Sequence, residues 1–361
     1  MANFMGREMT RSEILNSVGH LGQLAGVRPL RYDDGRAGGC RAMEVTTGGG
    51  LRFTVLPDKC MDLFALEYKG VNLSFLAKPG LTAPQYFNPH NEFYHYAQGG
   101  LLFTCGLRSA GAGSVDGGET HTLHGRIGNT PAEHVAVHAG WQGDEYDIRL
   151  EGEMRESALF GENLVLHRTI ETGLGRRSIT VTDRVDNESH APQDLMLLYH
   201  INFGFPFLSA DTDLLLPAGV ASAPRDADAA KGLDAWQHMG SPQEGYREQV
   251  FYHTMPAATD GTTAAVVWNR KLELAVVLRY NVGELPVMNQ WKCLAAGDYA
   301  LGLEPANCHV EGKVAERQRG TLQSIEGFGS RRFTLHLEVW EGEEISAGLQ
   351  ALRTECGLVL Q

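Results

Sequence analysis

Leu164-Val-Leu-His-Arg-Thr-Ile170, then Gly173-Leu-Gly175, then Ser178-Ile-Thr-Val-Thr-Asp-Arg-Val185 is the stretch that decides the fold class. Two strand-like runs rich in β-branched residues flank a turn whose glycines suit a hairpin, so the stretch reads as two antiparallel strands. Working outward, the pattern repeats. Leu51-Arg-Phe-Thr-Val55, Tyr146-Asp-Ile-Arg-Leu150 and Phe333-Thr-Leu-His-Leu-Glu-Val339 alternate apolar and polar residues. Residues 263–267 and 272–280 form a further pair, linked by Trp268-Asn-Arg-Lys271. The 43 glycines among 361 residues fall between such segments, and this spacing of short strands and turns predicts an all-β chain, a large antiparallel sandwich or barrel.

Helix is expected mainly near the start. Thr10-Arg-Ser-Glu13 has capping-box spacing, and Ile14, Leu15, Val18, Leu21 and Leu24 follow at helical intervals, which predicts one short helix ending near Gly26 within an N-terminal segment 1–30. Residues 209–247, with Pro217, Pro224 and Pro242, break the strand rhythm and read as a loop-rich insertion holding one short strand at Leu214-Leu-Leu216. Residues 1–361 are otherwise read as one domain, because large sandwiches run long as single units.

The net charge of −13, with basic residues clustered no further than Arg176-Arg177 and Arg331-Arg332, excludes the basic footprint that a nucleic-acid partner requires. No run approaches the roughly 18 apolar residues that a membrane span needs. Met1-Ala-Asn-Phe-Met-Gly-Arg7-Glu8 has no apolar signal core, so a soluble, cytoplasmic protein is expected. The six cysteines (40, 60, 105, 293, 308 and 356) show no paired spacing and read as free thiols in or near the core. His121-Thr-Leu-His124 fits neither a helix-face nor a strand-face metal pair, so no metal and no cofactor are expected.

Three segments carry candidate chemistry. In Asp298-Tyr-Ala-Leu-Gly-Leu-Glu304-Pro-Ala-Asn307, strand alternation puts Tyr299, Leu301 and Leu303 on one side and Gly302 and Glu304 on the other. A glutamate so placed is partly desolvated, which raises its pKa toward a working pH and makes it a proton-transfer candidate. The same pattern also suits a strand-end glutamate paired with an arginine. In Asp194-Leu-Met-Leu-Leu-Tyr-His200-Ile-Asn202-Phe203, His200 and Asn202 share one face and Tyr199, Ile201 and Phe203 the other. Thr122-Leu-His124-Gly-Arg126-Ile-Gly128-Asn129 supplies a second histidine. A lone histidine on an apolar face is more often a core residue; two of them plus Glu304 suggest a site assembled from distant strands.

In this order, the segments Gly99-Gly-Leu-Leu-Phe-Thr-Cys-Gly-Leu-Arg108, His124-Gly-Arg-Ile-Gly-Asn-Thr-Pro131 and Leu301-Gly-Leu-Glu-Pro-Ala-Asn307 resemble the aldose 1-epimerase (galactose mutarotase) superfamily, and most closely its uncharacterised aldose 1-epimerase-like branch. The resemblance runs from Gly35 to about Gly342. It implies a β-supersandwich with an open cleft on one sheet and a small-molecule sugar bound across it. It also implies Glu304 as general base, His200 as general acid, and His124 beside the ring oxygen. Arg108 matches the arginine before the first histidine motif and joins His124 and Asn202 as a sugar-binding candidate, with Trp291 or Phe203 as a stacking surface. The family's substrate-binding aspartate has no clear counterpart; Asp58 and Asp62 are candidates by charge only. His200 is followed by Ile-Asn-Phe-Gly where better-known mutarotases carry a His-x-Tyr-Phe-Asn pattern, which points to a different sugar. Two other readings stay open: a sugar isomerase or epimerase, metal-assisted or not, and a non-catalytic carbohydrate-binding protein. Oligomeric state is not legible.

Overall fold

The structure is a computed structural model that describes residues 2–4, 6–88 and 93–359. The opening hairpin forms as expected. Strand Asn163–Gly173 pairs antiparallel with Ser178–Asn187, Leu166 opposite Val185 and Ile170 opposite Val181. Gly175 in the turn has φ 77°, and a Cβ there would lie 1.9 Å from the Asn3 carbonyl oxygen, so the position takes only glycine.

This hairpin lies within an eight-stranded sheet. Its spatial order is Glu133–Gln142, Glu145–Ser157, Asn163–Gly173, Ser178–Asn187, Ser330–Glu341, Leu274–Asn281, Thr262–Asn269 and Thr212–Leu215. A second sheet carries the site. It runs Ala221–Pro224, Gln249–Thr254, Val287–Ala295, Asp298–Ala306 and Gln193–Phe203, and the last of these also pairs with Gln323–Ile325 through residues 193–195 and with Leu102–Leu107 through residues 196–201. A five-stranded sheet spans residues 26–72. One apolar core holds the sheets together: Ile148, Leu150 and Leu166 from the larger sheet pack in the same cluster as Leu197, Tyr199, Leu301 and Leu303 from the second. The fold is thus the large antiparallel β-supersandwich expected, 48% strand and 14% helix.

The Thr10/Glu13 capping box is present, with Thr10 N donating to the Glu13 carboxylate at 2.7 Å. The helix is shorter than its apolar spacing predicted. It covers Arg11–Ser17, because Val18 is already extended, and Leu21–Gln23 form a separate short turn before strand Gly26–Arg31. Residues 209–247 are more than an insertion. Thr212–Leu215 forms the edge of the larger sheet against Thr262–Asn269, and Ala221–Pro224 forms the edge of the second against Gln249–Thr254. A helix not anticipated, Glu343–Cys356, lays Ile345 and Leu352 on Trp340, Ala275 and Val277 at the outer face of the larger sheet. Cys40, Cys60, Cys105, Cys293 and Cys308 are buried free thiols; the side chain of Cys356 lies outside the described residues. Among the described residues, no helix is long and apolar enough to cross a membrane.

Between the sheets lies a buried ionic cluster. The Arg168 guanidinium donates to Asp183 at 2.9 and 2.6 Å, to Asp62 at 2.7 Å, to the Cys60 carbonyl at 3.0 Å and to Thr104 Oγ1 at 2.9 Å. Tyr199 donates its hydroxyl to Asp183 at 2.8 Å, and Thr104 donates its backbone N–H to Asp62 at 2.8 Å. Thr104 and Tyr199 sit on neighbouring strands of the second sheet, so the cluster ties that sheet to the larger one directly behind His200.

Candidate functional site

The cleft face of the second sheet follows from strand alternation. Leu301 and Leu303 enter the core, which turns Gly302 and Glu304 outward; Tyr199, Ile201 and Phe203 enter it too, which turns His200 and Asn202 outward. The register pairs Ile201 with Leu303 and Asn202 with Gly302, and so carries His200 across from Glu304. Their side chains meet, with His200 Nε2 3.0 Å from Glu304 Oε1. Gly302 keeps the space between them open: a Cβ there would come within 3.1 Å of His200 Cε1 and 3.2 Å of Glu304 Oε1. His124 arrives from a turn in the left-handed region (φ 61°), fixed by its N–H donating to the Gly111 carbonyl at 2.7 Å, and its ring lies 5.6 Å from that of His200. Asn202 donates to the Gly100 and His200 carbonyls, both at 3.0 Å, and its Oδ1 has no hydrogen-bond partner.

Burial governs the electrostatics. Glu304 is 2% exposed; desolvation, reinforced by the Glu248 carboxylate and opposed by Arg225, pushes its pKa up to about 8. Desolvation pushes His200 down to about 4, with Asn202 opposing it. Desolvation and the neighbouring His200 bring His124 down to about 3. At neutral pH both imidazoles are therefore neutral, and the Glu304–His200 pair shares one titrating proton across 3.0 Å. Among the described residues, Glu304 Oε2, His200 Nδ1 and His124 Nδ1 are buried without hydrogen-bond partners, so the site has unspent capacity to bind polar groups.

These residues open onto a cavity of about 720 Å3 lined by His124, His200, Asn202 and Glu304 together with Phe75, Phe93, Phe103 and Trp291. Trp291 lies opposite Gly302 in register, and its ring is 5.5 Å from that of His200. The indole N–H donates to Glu248 at 2.8 Å, and Glu248 accepts from Arg225 at 3.2 Å.

Several expected positions fall elsewhere. Arg108 does not line the cavity; its Nη1 lies 2.6 Å from Glu119 and 3.1 Å from Glu162, so its charge is spent holding those segments together. Asp58 binds Arg41, and Asp62 is locked in the Arg168 cluster, so neither supplies a cleft carboxylate. Phe203 is fully buried in the core, so of the two expected stacking residues Trp291 alone lines the cavity, beside Phe75, Phe93 and Phe103. The sequence reading missed Arg225, Glu248, Lys78 and Asp298. All four line the cavity, and Lys78 pairs with Asp298 at 2.5 Å. No local pattern marks Arg225, because the edge strand that carries it into place pairs with residues 251–254. Among the described residues, no three of His, Cys, Asp or Glu are grouped so as to hold a metal ion.

Solved structures share this architecture. A protein from Klebsiella pneumoniae subsp. pneumoniae described as a candidate aldose 1-epimerase superposes with a TM-score of 0.87 at 24% identity, over 92% of this chain and 90% of that one. A galactose mutarotase-like protein from Clostridium acetobutylicum gives 0.58 at 14% identity over 89% of this chain and 100% of the other. Galactose 1-epimerase from Lactobacillus acidophilus gives 0.56 at 14% identity over 88% and 100%. The fold is therefore galactose mutarotase-like. No curated protein matches the chain. Residues 37–339 match the family described as a domain of unknown function, DUF4432, and the chain belongs to that family.

Proposed function

We propose that this protein is an aldose 1-epimerase-like mutarotase that interconverts sugar anomers by general acid–base catalysis, with Glu304 as base and His200 as acid. The observation that carries this reading is the 3.0 Å contact between a carboxyl with raised pKa and an imidazole with depressed pKa on the floor of a ligand-sized cavity. A cyclic hemiacetal opens when Glu304 takes the anomeric hydroxyl proton while His200 protonates the ring oxygen. Rotation about the bond beside the carbonyl and reclosure with roles reversed gives the other anomer. The pair carries one proton throughout: it sits on His200 when the ring is closed and poised to open, and on Glu304 when the chain is open. Before a sugar arrives, burial favours the neutral carboxyl and so the proton on Glu304. Substrate hydroxyls hydrogen-bonding to Oε2 favour the carboxylate and move the proton to His200. His124, neutral, orients the ring. Arg108 acts from outside the cleft by holding the segments of Glu119 and Glu162.

Two measurements test this. Anomer exchange followed by NMR on freshly dissolved aldoses and uronates should accelerate for at least one sugar, and His200→Asn should slow it by a hundredfold or more. No acceleration across the panel sinks the reading. The rate should also trace a bell in pH. It falls below about 4, where His200 and Glu304 are both protonated, and above about 8, where the shared proton is lost. A profile flat from 3 to 10 would contradict a one-proton pair.

A further inference from the structure

The cavity is layered, and the layers bear on what fits. Its floor holds the polar groups Glu304, His200, His124 and Asn202. Its mouth holds the charges, which close on one another: Lys78 with Asp298, their side chains 66% and 44% exposed, and Arg225 with Glu248, 26% and 49% exposed. The walls between are apolar. Phe75 and Trp291 flank the two floor imidazoles on one side and Phe93 and Phe103 on the other; along Phe75, Trp291, His200, His124, Phe93 and Phe103 each ring is edge-on or tilted to the next, at centroid separations of 6.1, 5.5, 5.6, 5.2 and 5.9 Å. Val250 and Val310 complete the wall.

A polyhydroxylated hexose would bring hydroxyls against these walls, and each one desolvated without a partner is costly. Neither Asp58 nor Asp62 reaches the cavity to read such a hydroxyl. The volume, about 720 Å3, lies well inside the range that takes a drug-sized ligand, and a single pyranose ring fills only part of it. Flat aromatic groups gain most from walls of this kind, through area burial and edge-to-face contacts.

We infer that the ligand is a free-anomer sugar bearing a bulky apolar, aryl-type substituent away from its anomeric centre, with the hemiacetal on the polar floor and the substituent against the ring-lined wall. The inference rests on the mutarotase reading for the placement of the hemiacetal.

Calorimetric titration of the intact protein tests it with glucose, galactose and the 4-O- and 6-O-benzyl ethers of each. At least one ether should bind tenfold or more tightly than its parent, and Phe75→Ala and Val250→Ala should each narrow that margin. If no ether exceeds its parent, or none binds, the inference is overturned. Anomer exchange on the same compounds separates the two claims. An ether that binds tightly but is not interconverted upholds the apolar site and removes the mutarotase. A parent sugar that is interconverted while its ethers are excluded does the reverse.

Discussion

Under the proposed mechanism, Glu304→Gln should cut anomer exchange by orders of magnitude and at the same time make the protein more stable near neutral pH. The loss follows from the role: glutamine is nearly isosteric but accepts no proton, so catalysis falls by roughly two to four orders of magnitude, read by NMR exchange at saturating sugar. The gain follows from burial. Glu304 has a folded pKa of about 8 against an ordinary value of 4.5, so the native state keeps a proton that the unfolded chain releases. The contribution of this group is most favourable below about pH 4.5 and is lost as pH rises through about 8. With roughly 1.4 kcal/mol per pKa unit, the cost at high pH is on the order of a few kcal/mol. Urea midpoints measured from pH 5 to 9 should therefore fall less steeply for the variant than for the parent. A variant that loses stability in parallel with the parent would show that Glu304 carries no such burden. On the proposed reading, activity and stability oppose each other at this residue, as expected where a charge-changing group is held away from water for chemistry.

Arg168→Met should lower stability steeply. The guanidinium is fully buried and serves Asp62, Asp183, Thr104 and the Cys60 carbonyl. Methionine fills much of the volume but leaves two buried carboxylates without their cation, which costs about 3–5 kcal/mol. Burial already holds Asp62 up at about 6 against the pull of Arg168. Chemical denaturation would read the loss directly. Replacing Asp62 and Asp183 by asparagine in the same background should restore part of it, because the penalty comes from the stranded charges rather than from the missing arginine. If Arg168→Met alone is neutral, the cluster does not anchor the sheets. Because Thr104 and Tyr199 belong to it, the variant should also loosen the strands that carry His200.

Much of this site is legible along the sequence because strand alternation is strict. Wherever Leu301, Leu303, Tyr199 and Ile201 must be buried, Glu304 and His200 are forced to the opposite face, and a reading residue by residue finds them. Register is different. That His200 stands across from Glu304 is decided by pairing between strands far apart in the chain, and the alternation in either strand permits the shift that would separate them. Ion pairs are less legible still. Arg108 is a candidate because it matches the family's arginine before the first histidine motif, and Asp62 by charge only, yet both are spent on partners elsewhere in the chain, Glu119 and Glu162 for one and Arg168 for the other. Residues 209–247 look like decoration because their strands are short and interrupted by proline. Their order comes from the neighbours they pair with, Thr262–Asn269 and Gln249–Thr254. The C-terminal helix shows Ile345, Leu349 and Leu352 at helical spacing, a signal strong enough to have been read.

The strand bearing His200 lies between Leu102–Leu107 and Asp298–Ala306, and Asn202 bonds to Gly100, 102 residues back along the chain. Loops of that length must close before either ladder returns any energy, which places the fold among slow-forming topologies. During synthesis, the segments carrying His124 and His200 leave the ribosome long before Glu304 does. Until then the edge of the His200 strand on that side presents unpaired backbone N–H and C=O groups. The contact between His200 and Glu304 is thus among the last features the nascent chain acquires, and the interval before it forms exposes the molecule to mispairing.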